Sequence, residues 1–224
     1  MSTQNPFQPS ATEIARRYAN TRKAMAAAGL DALIVSGSEY SGFEGAVRYM
    51  CGFHILHRYA YVVVPMKGDP IFVTPREATW VGDHSQSFVK QAAKPPHCGE
   101  WLAAHCREQG WKRVGVYGLE YIMSVRDYRA LLDARLELVD FDVAFDHSRA
   151  QKSEEEMASV RDSMAINKAG VLAVIQAYKA GRTEAELMGV AEKVFVSRGT
   201  ARNTMDMVLI GPHGSLRPQM VFAD

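Results

Sequence analysis

Residues 58–75, RYAYVVVPMKGDPIFVTP, set two apolar, β-branched runs on either side of Met66, Lys67, Gly68 and Asp69. Gly68 and Asp69 give the backbone the freedom to reverse, so the stretch predicts an antiparallel β-hairpin. That commits the chain to a sheet, and the flanking sequence says how the sheet is covered. Upstream, Ser10 or Thr12 can cap a helix in which Ile14, Tyr18, Met25 and Leu30 recur near helical spacing and Gly29 is placed to end it. The short apolar run DALIVS then reads as a buried strand. Downstream follow a helix around Arg76 to Asp83, a strand near Phe88, a helix from Cys98 to Glu108, the strand RVGVYG, the helix SVRDYRALLDAR and the strand LELVDF. Strands alternating with helices predict an α/β fold, with a mixed sheet covered by helices and at least one antiparallel hairpin.

At Arg149 short alternating elements give way to one long helix. Ser153 is a candidate N-cap, Glu154, Glu155 and Glu156 place negative charge on the first turn, and Ser153 with Glu156 fits a capping box. Met157, Val160, Met164, Val171, Val174 and Tyr178 form an apolar stripe interrupted by Asn167. A second helix is expected from Thr183, with Glu184 and Glu186 behind its cap, Leu187, Val190, Ala191 and Val194 on its apolar face, and an end by Gly199. TMDMVLIG then reads as a strand and PHGSLRPQ as a loop.

Composition narrows the function classes. With 224 residues and 47% apolar content the chain can bury one large core or two small ones. The formal charge is only +1 and basic residues are scattered, which points away from nucleic acid and from anionic membranes. No apolar run approaches the ~20 residues of a membrane span, and the start MSTQNPFQPSATE lacks a signal-peptide pattern, so a cytoplasmic protein is expected. Cys51, Cys98 and Cys106 show no CxxC spacing and read as buried or inert thiols.

The ordered set Arg149, Lys152-Ser153, Glu156, Gly181, Thr183-Glu184, Leu187 and Gly199 resembles the entry to the catalytic domain of the creatinase, aminopeptidase P and prolidase family, the pita-bread hydrolases. RRYANTRKAMAAAGLDALIVSG, VRYMCGF and the VVVPMKGDPIFVTP hairpin are similar to that family's N-terminal domain in order and spacing. The resemblance runs from about Ile14 to Gly211. It implies a creatinase/prolidase-like N-terminal domain over residues 1–148 and an incomplete N-terminal part of an α+β pita-bread domain over 149–224. It also implies cleavage of carbon–nitrogen bonds in small peptide or amide substrates by a homodimer. The catalytic half of such enzymes usually holds divalent metals of the manganese, zinc or cobalt type with two aspartates, a histidine and two glutamates. Metals bridged by carboxylates generate hydroxide near neutral pH and polarise the scissile carbonyl. Those ligands are expected beyond Asp224, so no cofactor is expected in this fragment, which should be hydrolytically silent.

The resemblance also supplies site residues. In creatinase-like relatives the loop corresponding to GFHILHRYA reaches the partner subunit's active site, and an arginine near the position of Arg58 contacts substrate. Arg58, His57 and His54 are therefore the substrate-binding candidates, and the guanidinium of Arg58 suits a carboxylate. The family's glycine-led loop, here about Ile210 to Gln219, carries a histidine seven residues after its glycine. Counting from Gly211 reaches Pro218, so either His213 takes the proton-transfer role in a remodelled loop or that role is missing. Asp140 and Asp142, expected on one face of a strand, with Asp146 and His147 beyond, read as strand-end and linker charges rather than a metal cluster. His97, Cys98, Glu100 and His105 read as a helix face, and Gly42 and Gly45 as no phosphate loop, since neither a helix start nor a lysine is expected after them. Two other functions stay open: a non-catalytic dimerisation or binding module, and a lyase or non-peptide amide hydrolase on the same fold. Half of a curved sheet would leave an exposed apolar surface.

Overall fold

A computed structural model describes residues 8–40, 42–55, 57–78 and 87–199. They fall into two compact units, one ending at Ser153 and the other opening at Glu154. In chain order the first unit contains α1 (Ala11–Ala27), β1 (Ala32–Ser38), α2 (Gly45–Cys51), β2 (Tyr59–Pro65), β3 (Ile71–Val73), a 3-10 turn (Arg76–Ala78) and β4 (Gln91–Ala93). It continues through α3 (Cys98–Glu108), β5 (Arg113–Tyr117), α4 (Val125–Asp133), β6 (Glu137–Asp140) and α5 (Asp142–Ser148). The second unit holds α6 (Glu154–Ala177) and α7 (Glu184–Ser197).

The strands form one six-stranded sheet in the order β4-β3-β2-β1-β5-β6. β1 pairs antiparallel with β2 and parallel with β5, β2 pairs antiparallel with β3, and the β3–β4 and β5–β6 pairs are parallel. β2 therefore runs against all five of its companions. The expected hairpin is β2–β3, turning through Gly68 at φ 103°.

Alternation along the central strands builds the two layers. Leu33, Val35, Val62 and Val64 point to a core that also holds Met25, Phe72, Phe141 and Phe145. Ile34, Tyr61, Val63, Val114 and Val116 point to the other, with Leu102 of α3 and Leu131 of α4. Every residue from Ala32 to Gly37 is buried, as a strand covered on both faces requires.

Two buried carboxylates fix the helices. Glu13 in α1 is 3% exposed and takes charge-assisted bonds from Arg16 at 2.8 Å and Arg17 at 2.7 Å. The Arg16 bond, reinforced by Arg17 and the Ser153 hydroxyl against the opposing effect of burial, holds its carboxyl down at about 2. Arg17 also stacks over Tyr49, 4.3 Å from its centroid. Asp127, 1% exposed, follows Ser124 in the spacing of a capping box, and Ser124 does cap its backbone N–H. The Asp127 carboxylate instead accepts the Gly99 N–H and the Tyr61 hydroxyl, both at 2.7 Å. It thereby caps α3, whose own N-cap residue, His97, makes no side-chain capping bond. Gly99 must be glycine here, because a Cβ would stand 2.4 Å from the Asp127 Cα.

Several local expectations change. The strand foreseen near Phe88 lies at Gln91–Ala93, while Phe88 bonds through its N–H to the Cys51 carbonyl. A helix does start at Gly45, but no lysine follows it. Asp140 ends β6 and Asp142 opens α5, so they do not share a strand face. Of the helix expected over Arg76 to Asp83, only the 3-10 turn Arg76–Ala78 falls within the described residues. All three cysteines are buried, and desolvation pushes each thiol up to about 12.

The RAQKS segment belongs to the first unit. The Arg149 guanidinium lies over the rings of Phe145 (5.1 Å), Tyr117 (5.7 Å) and Tyr49 (6.0 Å) and binds Asp146 at 2.7 Å. Lys152 donates to the carbonyls of Arg149 and Ala150. In the second unit Thr183 and Glu186 complete a capping box on α7. Phe195 packs so close to Gly170 of α6 that a Cβ there would lie 2.3 Å from its ring. On α6, Val160, Met164, Val171 and Ile175 are all exposed, as is Tyr178 just beyond its end. Among the described residues no helix is long and apolar enough to cross a membrane.

Asp127→Ala should lower the unfolding free energy by about 3 kcal/mol in urea titration, since two buried donors lose their acceptor, whereas Tyr61→Phe should cost about 1 kcal/mol. Glu13 has a folded pKa below its unfolded value, so its contribution is complete above about 4.5 and disappears as pH falls toward 2. Glu13→Gln should therefore flatten the pH dependence of stability in that acid window and leave its slope near neutrality unchanged.

Candidate functional site

Because β2 alone is reversed, its first residues stand at the edge of the sheet where the other five strands end. The approach to that edge is built from alternating anchors. α2 ends at Gly52 in the left-handed conformation, φ 75°. Phe53 is then buried against Phe72 with ring centroids 4.8 Å apart. Ile55 is also buried, with its Cδ1 3.0 Å from where a Cβ on Gly37 would be. These anchors leave His54 and His57 half-buried and Arg58 exposed.

Arg58 has φ 66°, in the left-handed region, where an L side chain is strained by about 1–2 kcal/mol. Arg135 shares this feature at φ 58°, but it ends α4, where its N–H bonds to the Leu132 carbonyl. Arg58 ends no helix. Its carbonyl accepts the Glu39 N–H at 2.9 Å, which extends the β1–β2 pairing past Ser38↔Tyr59. Its side chain is 52% exposed and reaches Glu77, itself 51% exposed, at 3.6 Å.

Beneath Arg58 lies a polar layer. Burial first, then the Asp127 charge, raises the Tyr59 phenol. Tyr61 is raised well above its ordinary value for the same reasons. Tyr61 is the neutral donor to the Asp127 carboxylate, and Tyr59 stands beside it, its ring 5.5 Å from that of Tyr61. The layer fixes the start of β2 to the N-termini of α3 and α4, and so fixes the base from which Arg58 projects.

The same edge carries an aromatic group: Tyr40 stacks on Phe43 at 6.0 Å and Phe43 meets Tyr121 edge-on at 5.6 Å. Asp142 accepts the Gly118 N–H at 2.6 Å, and Asp140 accepts the Asp142 N–H at 3.0 Å. Desolvation raises the Asp142 carboxyl. With Asp146 on Arg149, each aspartate of this stretch has a partner within the protein. His105 is stacked on Trp101 at 4.9 Å and edge-on to Trp111 at 5.4 Å, and burial lowers its pKa. Among the described residues no group of three His, Cys, Asp or Glu could hold a metal ion.

Arg58, His57 and His54 thus share one short loop, with Arg58 projecting from it. His213 lies outside the described residues. Glu77 and Asp127 escaped the sequence reading. Nothing in the sequence around Glu77 marks it as the partner of Arg58, and the Ser124 to Asp127 spacing signals only a local cap.

The sequence profile of the creatinase/prolidase N-terminal domain matches residues 17–151. Among solved structures, the chain is similar to the Xaa-Pro dipeptidase from Bacillus anthracis, at 18% identity and TM-score 0.63 over 83% of this chain and 50% of that one. It is similar to the prolidase from Pyrococcus horikoshii at 15% identity and TM-score 0.68, over 92% of this chain and 57% of that one. The dipeptidase PepE from Mycobacterium ulcerans follows at 20% identity and TM-score 0.60, over 86% and 51%. These likenesses are of fold, and the chain spans about half the length of those proteins. No curated protein sequence matches it.

Arg58→Gly should be about 1 kcal/mol more stable than Arg58→Ala in paired urea titrations, because only glycine removes the left-handed strain. Equal stability of the two variants would remove the strain argument.

Proposed function

The chain belongs to the creatinase/prolidase N-terminal domain family, and from that membership we propose that it serves as the amino-terminal half of a metal-dependent carbon–nitrogen bond hydrolase of the Xaa-Pro peptidase type. The observation that carries this reading is the extent of the shared fold. The family match ends at residue 151, yet 92% of the chain superposes on a prolidase of which it covers 57%. The α6–α7 hairpin therefore belongs to the likeness along with the N-terminal domain.

In this reading the substrate is a small peptide or amide with a free carboxylate. Arg58 binds that carboxylate, since its planar guanidinium matches carboxylate geometry and its side chain stands exposed at the edge where five strands end. His57 and His54 shape the same loop. Two copies associate so that Arg58 of one approaches the other's substrate site. His213 is the candidate for proton transfer. A metal pair would supply an activated hydroxide. Among the described residues no three His, Cys, Asp or Glu group to hold such a pair, so none of them is assigned to it.

The purified chain, loaded with manganese, zinc or cobalt and then dialysed, should retain substoichiometric metal by elemental analysis and should not hydrolyse a proline dipeptide. A stoichiometric metal pair with turnover would overturn the proposal.

A further inference from the structure

Glu77 sits on a single 3-10 turn whose N-terminal side is held by β4 and the residues just after it. The Thr74 N–H bonds to the Ala93 carbonyl at 3.1 Å and the Arg76 N–H to the Pro95 carbonyl at 3.0 Å. That fixed turn brings a carboxylate from beyond the end of β3 to the guanidinium of Arg58 at the start of β2. The pair is long at 3.6 Å, and both side chains are about half exposed, so it is readily broken. Arg58 nevertheless keeps a left-handed backbone that no helix end explains. A strained residue that projects a charge onto a weak, exposed internal partner is poised for exchange rather than for stability.

We propose that Glu77 is a displaceable internal anion, which occupies the carboxylate-binding face of Arg58 until a ligand carboxylate replaces it. Glu77 is thus a positioning residue: it keeps the guanidinium over the strand-end edge and sets how strongly a carboxylate must bind. No bond is made or broken beyond this exchange of ion-pair partners. The inference rests on the reading of Arg58 as a carboxylate binder.

The test titrates sodium acetate into the isotope-labelled 224-residue chain, with sodium chloride at matched ionic strength as control, and follows the Arg58 side-chain Nε–H resonance by NMR. Acetate should shift this resonance where chloride does not. Glu77→Gln should tighten apparent acetate binding by about two- to fivefold, the range expected for an exposed ion pair. Arg58→Gln should abolish the acetate-dependent shifts of the neighbouring Glu39 and Tyr59 amides. If acetate shifts Arg58 but Glu77→Gln leaves its affinity unchanged or weaker, the displaceable-anion role is overturned while Arg58 as a carboxylate binder stands. If Arg58 does not respond to acetate at all, both fall.

Discussion

β2 runs against the other five strands, and that reversal decides what the sheet can present at each edge. In a sheet of parallel strands one edge collects only strand ends. Here the opposed strand delivers its first residues to that edge, and Arg58 is the residue immediately before it. The reversal depends on the tight turn through Gly68 on one side of β2 and on the pairing with β1 on the other, where seven residue pairs are in register. A slip of one residue would turn Val62 and Val64 out of their core and Tyr61 away from Asp127. Register, core and the placement of Arg58 are therefore one constraint.

Asp127 is the polar counterpart of that constraint. A buried carboxylate is tolerated only when its oxygens are satisfied, and Asp127 is served by a backbone N–H of α3 and the Tyr61 hydroxyl. Each donor comes from an element that could otherwise slide: Gly99 fixes α3, and Tyr61 fixes β2. The close approach of Gly99 to the Asp127 backbone excludes a side chain there and keeps the two helix N-termini together.

The sequence made legible whatever depends on neighbours along the chain. The hairpin through Gly68, α3 from Cys98 to Glu108 and the Thr183 cap were all readable, because turn residues, periodicity and caps act within a few positions. The short α2 was missed, since a seven-residue helix has less than two full turns of periodicity to display. β4 was misplaced by a few residues: Phe88 and Val89 look like strand, but Val89 belongs to the core beneath while Gln91–Ala93 makes the ladder. At the candidate site, Arg58 is nominated by a resemblance rather than by any local rule. Its partner Glu77 is nineteen positions away and its supporting Asp127 sixty-nine, separations that only the folded sheet brings together. The Ser124 to Asp127 spacing signals only the local cap that Ser124 makes and not the use of the Asp127 carboxylate across helices.

The position of Arg58 also explains why its strain persists. Ligands of open α/β sheets gather beyond the carboxyl ends of strands, where loops are free of the ladder and side chains converge. A residue that starts an opposed strand at that edge has its carbonyl held by the neighbouring strand, here by the Glu39 N–H. With the β1–β2 register fixed ahead of it, Arg58 enters β2 in the left-handed conformation. Glycine would adopt it with less strain but would present nothing at the edge. An arginine in that conformation spends about 1–2 kcal/mol of local backbone energy to hold a guanidinium where the sheet gathers its strand ends. The half-exposed Glu77 offsets little of it.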